Sequence, residues 1–305
     1  MVDLAEDILG VVEAIDFVFF PVAMDFKRSD VEAMQDKEMA VCFINGAIRN
    51  SEQQEMAELL RRKSGILIAY GACAHMGGIP GLANLYTRDS LLKAVYGTDF
   101  STVNPEGTLP QVRTTVPEGE LELPEFHDSV KALDQVVDVD YYIPGCPPPV
   151  RLLKEAVGAI LSGNLPPKGT VLAPDLALCE ECSRNKTKPE KLLVKSFKRP
   201  HEALIDPEEC ILAQGFLCLG PVTRSGCGAA CPEGNMPCTG CLGPTSRVID
   251  YGAKALSGIA SILDSNNEDE IERLMESIAD PVGTFYKYSF PSSQIFRRTN
   301  FKDEG

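Results

Sequence analysis

Tryptophan is absent from this 305-residue chain, histidine occurs three times, and basic residues are in deficit, 29 Lys plus Arg against 44 Asp plus Glu. The resulting net charge of −15 argues against nucleic acid, whose binding rests on neutralising phosphates with basic side chains. No apolar run is long enough to span a bilayer, and no charged-then-apolar leader opens the sequence. The chain is therefore expected to be soluble, cytoplasmic and without a membrane partner. His75, His127 and His201 read as ordinary surface or supporting residues, with His75 worth following because it lies two residues after Cys73. No Ser-His-Asp or Cys-His arrangement is suggested, and the Gly-rich stretch 71–78 lacks the G-x-x-x-x-G-K-[ST] pattern of a phosphate loop. Internal repeats and low-complexity tracts are missing too. No catalytic residue is expected on this chain.

Cysteine is what the chain has in excess. Eleven cysteines in a protein of a reducing compartment point to metal or redox chemistry rather than to a disulfide framework. Eight fall within residues 179–241: Cys179, Cys182, Cys210, Cys218, Cys227, Cys231, Cys238 and Cys241. Two intervals are C-x-x-C and one is C-x-x-x-C-P, spacings at which a tight turn brings both sulfurs to one side. Eight thiolates serve two four-cysteine sites. The intervals of 2, 27, 7, 8, 3, 6 and 2 residues do not repeat the plan of a zinc ribbon, and the small-residue surroundings (214-Gln-Gly-Phe-Leu-Cys, 225-Ser-Gly-Cys-Gly-Ala-Ala-Cys) let a backbone close round a cluster. Spacing favours iron–sulfur over structural zinc and leaves the partition of the eight into sets open.

Ahead of this segment, apolar runs alternate with helical patterns. Residues 2–15 read as an amphipathic helix, 17–24 as a strand, 41–44 as a buried strand, 51–63 as a helix opened by a capping box at Ser51, and 65–70 as a third strand. A loop-rich region over 98–126 leads to a strand at 136–143 and a helix from Val150 to Leu161 that begins after Pro149 and stops at Gly163. Such alternation predicts a parallel sheet with helices on both faces, whose ligands sit at the carboxyl ends of strands. Cys73 and Cys146 both fall just past such an end, in Gly/Pro-rich turns, and together suggest a further metal site. Cys42, inside a buried run, reads as a small core hydrophobe. A Pro-rich bridge, 164–174, leads into the cysteines; helices are expected over 246–263 and 268–278, followed by a tail with a mixed charged terminus.

These motifs together resemble the small subunit of cytosolic NiFe hydrogenases, nearest to the gamma subunit of the methyl-viologen-reducing, heterodisulfide-reductase-linked type. The resemblance runs over nearly the whole chain and is carried by 46-Gly-Ala-Ile-Arg-Asn, 71-Gly-Ala-Cys-Ala-His-Met-Gly-Gly-Ile-Pro-Gly, 139-Val-Asp-Tyr-Tyr-Ile-Pro-Gly-Cys-Pro-Pro, the eight cysteines, 241-Cys-Leu-Gly-Pro-Thr-Ser-Arg and 283-Gly-Thr-Phe-Tyr. It implies a flavodoxin-like α/β domain over 1–165 and a loop- and helix-rich iron–sulfur domain over 166–305. By resemblance, Cys73 and Cys146 are the last two ligands of a proximal 4Fe–4S cluster. Cys179, Cys182, Cys210 and Cys218 are the distal set, and Cys227, Cys231, Cys238 and Cys241 the medial set. The implied function is an oxidoreductase subunit relaying electrons from dihydrogen, split on a separate NiFe large subunit, to an iron–sulfur or flavin partner such as a heterodisulfide reductase assembly.

The family has an N-terminal strand ending in C-x-G-C that supplies the first two proximal ligands, whereas this sequence opens inside the helix that follows. Since that strand is interior in a flavodoxin-like order, its absence is expected to leave a gap in the sheet and two of four proximal ligands, as from an incomplete N-terminus. The rival readings are a deazaflavin-reducing hydrogenase small subunit, a quinone-oxidoreductase subunit of similar fold and, from another class, a zinc-stabilised binding module without redox function.

Overall fold

The computed structural model describes residues 2–295; the mixed charged terminus, 296–305, lies outside the described residues. Seven strands occur among them: β1 Met39–Asn45, β2 Ile48–Asn50, β3 Ser64–Tyr70, β4 Arg113–Val116, β5 Gly119–Glu122, β6 Phe126–Lys131 and β7 Tyr141–Ile143. The main sheet has the order β1-β3-β7 and is parallel throughout. β3 is its centre, and the near-continuous apolar run from Ile66 to Ala69 follows from burial on both faces. Leu67 and Ala69 point to one side, where they meet Ala57 of the helix Ser51–Lys63 and Leu133. Ile68 points to the other, against Ile143 and Leu152 of the helix Val150–Leu161. The expected parallel sheet with helices on both faces is there, because alternate side chains of one strand need two apolar covers.

A buried carboxylate fastens this sheet. Asp140 accepts hydrogen bonds from Arg61 Nη1 at 2.7 Å and the Leu67 amide at 2.8 Å, and pairs with Lys168. Burial by itself raises its carboxyl; Lys168, Arg61 and the Leu67 amide more than reverse that and hold it down at about 2.

Several expectations need correction. The gap expected beside the strand at 41–44 is not found, since β1 and β3 pair directly from Met39 opposite Ser64 to Asn45 opposite Tyr70. Residues 17–24 form turns rather than a strand; Val22 is 87% exposed, so the run's hydrophobicity never becomes a ladder. The strand over 136–143 is confined to Tyr141–Ile143, because a 3₁₀ turn at Leu133–Gln135 and the bends after it occupy the preceding residues. The helix over 246–263 starts only at Tyr251, where Asp250 accepts from the Ala253 amide and caps it. The capping box of the 51–63 helix sits one residue early: Asn50 Oδ1 accepts from the Gln53 amide at 2.8 Å and Gln53 Oε1 from the Asn50 amide at 3.2 Å. Within the expected loop, β4 and β5 form a hairpin closed by Pro117 and Glu118.

Beyond residue 174 regular structure thins out. Three 3₁₀ turns, Leu178–Glu180, Ser183–Thr187 and Gly220–Val222, and a four-residue helix, Ala230–Glu233, hold the segment that bears the eight cysteines. It wraps an apolar core of Leu178, Phe216, Leu219, Tyr251 and Phe285, covered by the helices Tyr251–Ala260, Glu268–Glu276 and Pro281–Phe285. Contact between the halves is apolar as well: Leu242 is buried against Ile68 and Leu152, with Cys227 and Cys241 packed alongside.

Candidate metal centres

The carboxyl ends of β3 and β7 bring Cys73 and Cys146 together. The Gly71 amide donates to Ile143 O at 2.8 Å and the Ala72 amide to Gly145 O at 2.7 Å, so the two turns are stitched to each other. Cys73 then sits in the one-turn helix Ala72–Met76, and its thiol, pushed up chiefly by burial, also feels Cys146. The Ile79 amide donates to the Cys73 sulfur. Gly78 has φ +60, and a Cβ there would stand 2.4 Å from Cys73 Sγ, so backbone fills the space a side chain would take.

Cys179, Cys182, Cys210 and Cys218 line a single cavity whose other walls are apolar (Leu178, Ile211, Leu212, Pro221) apart from Arg184, Asn185 and Lys188. Burial pushes the Cys179 thiol up to about 11, and Cys218, Cys210 and Cys182 push the same way. Gly220 leaves the cavity room, since a Cβ there would touch Cys179 Sγ at 3.5 Å and Cys218 Sγ at 3.7 Å. Amides of Gly220 and Cys238 donate to Cys218 sulfur, the latter at 3.3 Å.

Cys241 lies next to Cys227, Cys231 and Cys146; burial pushes its thiol up to about 11, and the Cys146 amide donates to its sulfur. Cys231 also feels Cys227. Cys238 is the deepest of these thiols, raised by burial and then by Cys218 and Cys241, so it stands between this group and the preceding one. Its sulfur lies 3.7 Å from Thr223 Oγ1, which in turn bonds Tyr251 Oη at 2.8 Å. The ten cysteines thus form three adjoining groups, joined at Cys146–Cys241 and at Cys218–Cys238.

The donor set suits a cluster better than a single ion. A zinc tetrahedron with bonds of about 2.3 Å needs its sulfurs about 3.8 Å apart. Among the described residues no three His, Cys, Asp or Glu side chains converge closely enough to hold one metal ion. Four sulfurs lining a cavity, with amides aimed at them, fit a four-iron cube, in which each thiolate meets a different iron.

The other singled-out residues stay outside these groups. Cys42 lies on β1 against Leu59 and Leu60, its thiol pushed up to about 12 by burial, as a core residue. His75 packs its ring on Tyr142 at 4.8 Å, and burial, then Arg224, lower it to about 4. Sequence reading overlooked two charged residues among the cysteines. Arg224 is buried, pairs with Asp175 at 2.9 Å and donates to the carbonyls of Pro244, Ala173 and Pro174. Glu181 lies inside the first C-x-x-C, whose interior position is the signal that could have found it.

Comparison with known proteins agrees with this layout. The family described as NADH ubiquinone oxidoreductase, 20 Kd subunit, matches residues 1–160, which stop short of the eight clustered cysteines. An iron-sulfur subunit of the F420-non-reducing hydrogenase of Archaeoglobus profundus is 40% identical over 98% of this chain and 93% of its own length. The like-named subunit of the F420-non-reducing hydrogenase of Methanothermobacter thermautotrophicus is 40% identical over 96% of this chain and 90% of its own. A solved NAD+-reducing [NiFe]-hydrogenase chain in the H2-reduced state shares 30% identity over 54% of this chain and 83% of that one, with a TM-score of 0.46.

Proposed function

The chain belongs to the family of these F420-non-reducing hydrogenase subunits, and from that premise we propose that it is the electron-transfer small subunit of a NiFe hydrogenase. It relays electrons released from dihydrogen on a large subunit to an acceptor. The observation that carries this reading is the continuity of the three cysteine groups: the Cys146 amide on the Cys241 sulfur and the Cys238 amide on the Cys218 sulfur link them end to end.

We read residues 1–165 as the flavodoxin-like domain and 166–305 as the iron–sulfur domain. Cys73 and Cys146 belong to a proximal site, Cys227, Cys231, Cys238 and Cys241 to a medial one, and Cys179, Cys182, Cys210 and Cys218 to a distal one. The 4Fe–4S clusters held there supply one-electron redox chemistry. The chain's own residues do the rest: the Gly71 and Ala72 amides fix the inner thiols, Gly78 and Gly220 keep Cβ atoms out of the sites, and amides of Ile79, Cys146, Gly220 and Cys238 aim at sulfurs. Apolar walls round Cys179–Cys218 exclude water, which keeps a thiolate-bound cluster from hydrolysis. The acceptor is an iron–sulfur or flavin subunit such as a heterodisulfide reductase, and the assembly works in the cytoplasm. Its relatives' names, as F420-non-reducing enzymes, set the deazaflavin-reducing alternative aside.

Iron, sulfide and zinc analysis of the native assembly tests this, together with identification of the copurifying subunits. Iron with matching acid-labile sulfide and a NiFe large subunit is the expected result; a colourless chain with stoichiometric zinc would overturn it.

A further inference from the structure

Glu181 stands out once the cysteine groups are placed. It belongs to the C-x-x-C of Cys179 and Cys182, yet its carboxylate reaches into the other group and accepts the amides on both sides of Cys227. Gly226 and Gly228 each donate to Glu181 Oε2 at 2.9 Å. The other oxygen accepts Arg151 Nη2 at 2.7 Å, from the helix Val150–Leu161 of the α/β half. Burial alone would raise this carboxyl, but the bonds from Gly226, Arg151 and Gly228 outweigh it and keep the group ionised. The loop is shaped to make the contact, since Gly226, Gly228 and Ala229 all have positive φ, at 129, 65 and 52. A Cβ on Gly226 would meet Leu152 at 3.2 Å, so the loop is also clamped against the same helix.

Amides beside a ligating cysteine ordinarily point at cluster or thiolate sulfur, where they stabilise the added electron and raise the potential. Here both are taken by a carboxylate, which adds a negative charge of its own. We propose that Glu181 is a positioning residue that lowers the reduction potential of the Cys227-containing centre relative to its neighbours, with Arg151 as the partner that limits the effect. The inference rests on the reading of Cys227, Cys231, Cys238 and Cys241 as an iron–sulfur site. It makes one carboxylate the mechanical and electrostatic link between two neighbouring centres and the α/β half.

The test is an EPR-monitored redox titration of the intact hydrogenase complex carrying Glu181→Gln or Arg151→Gln. Gln keeps the shape and one acceptor oxygen but removes the charge. In E181Q one of the cluster signals is expected to titrate at higher potential by at least the ~59 mV that a tenfold change in a one-electron equilibrium represents. In R151Q the same signal shifts down, because the carboxylate loses its counter-charge. Iron content and signal count stay at the wild-type value in both. Unchanged midpoints in both variants, or shifts of the same sign, overturn the inference. If E181Q fails to assemble, R151Q decides alone: a downward shift supports the role and no shift overturns it. A wild-type complex without cluster signals would instead overturn the functional reading beneath it.

Discussion

Between residues 39 and 161 the backbone's polar groups are satisfied by ladders and helices, whereas between 174 and 243 they are satisfied by turns, side chains and sulfur. In the first region β3 exchanges bonds with β1 and β7, and the Ser51–Lys63 helix closes with a reciprocal cap. In the second, amides of Gly220 and Cys238 donate to Cys218, that of Gly240 to Cys238 and that of Cys146 to Cys241. Gly215, Gly226, Gly228, Ala229, Asn235, Gly240 and Gly243 all have positive φ there. One half obtains its shape from repeating burial, and the other from fixed points set by thiols. The difference implies that the halves depend on metal to very different degrees.

Removing iron is the harshest way to break the comparison. Chelation under reducing conditions is expected to abolish hydrogen-exchange protection over 174–243 while β1 and β3 keep theirs, because burying four thiols round an empty volume forfeits packing and metal bonds together. Equal loss in both halves would show that the sheet leans on the clusters too. Gly240→Ala comes next. Its φ is +94 and a Cβ would stand 2.1 Å from Tyr251 Oη, so backbone strain and overpacking add to about 4 kcal/mol. Calorimetry of the holo-complex should register it, with iron lost from the Cys238 group before the others.

How much of this was legible in the sequence follows the same divide. The strands at 41–44 and 65–70 and the helix from Ser51 were readable because two-fold and 3.6-fold periodicities report burial directly. The apolar run at 17–24 misled, since composition alone does not supply a strand with a partner. The ten cysteines were found by spacing and resemblance, but neither exposes Glu181, whose partners Gly226 and Gly228 lie 45 and 47 residues on. Nor does any local pattern place Arg224 against carbonyls from 173–174 and 244. Bonds between residues that far apart are made by irregular backbone, which leaves no period to read.

Asp140→Asn probes the ladder-built half at the next size down. Asp140 holds Arg61, Lys168 and the Leu67 amide together, and removing its charge leaves the largely buried Arg61 guanidinium without a counter-ion, at a cost of about 3 kcal/mol. The pH dependence has a definite sign. The folded carboxyl, held at about 2, lies below the ordinary ~3.9 of an unfolded Asp, so its contribution is complete well above pH ~4 and is lost as pH falls towards 2. The difference between wild type and D140N, read from exchange of β3 amides, should therefore shrink on acidification. A difference that stayed constant down to pH ~2 would assign the loss to packing rather than charge.

The smallest perturbation asks whether the two halves unfold independently. Asn50→Ala removes the acceptor for the Gln53 amide at the start of the Ser51–Lys63 helix, and leaves the Gln53 side chain bonding back to the amides of residues 49 and 50. Only one arm of the box is lost, so the cost is about 1 kcal/mol. This helix lies on the face of β3 that packs with Leu133, away from the Ile68 face where Leu242, Cys227 and Cys241 are seated. If the sheet insulates the cysteine half, exchange should quicken in the helix and in β1, with cluster absorbance and the protection of 174–243 unchanged. Faster exchange at Leu242 or Cys241 in the same variant would mean that the apolar seam through Ile68 and Leu152 makes the halves one cooperative unit, and that the ladder-built half sets the stability of the thiol-built one.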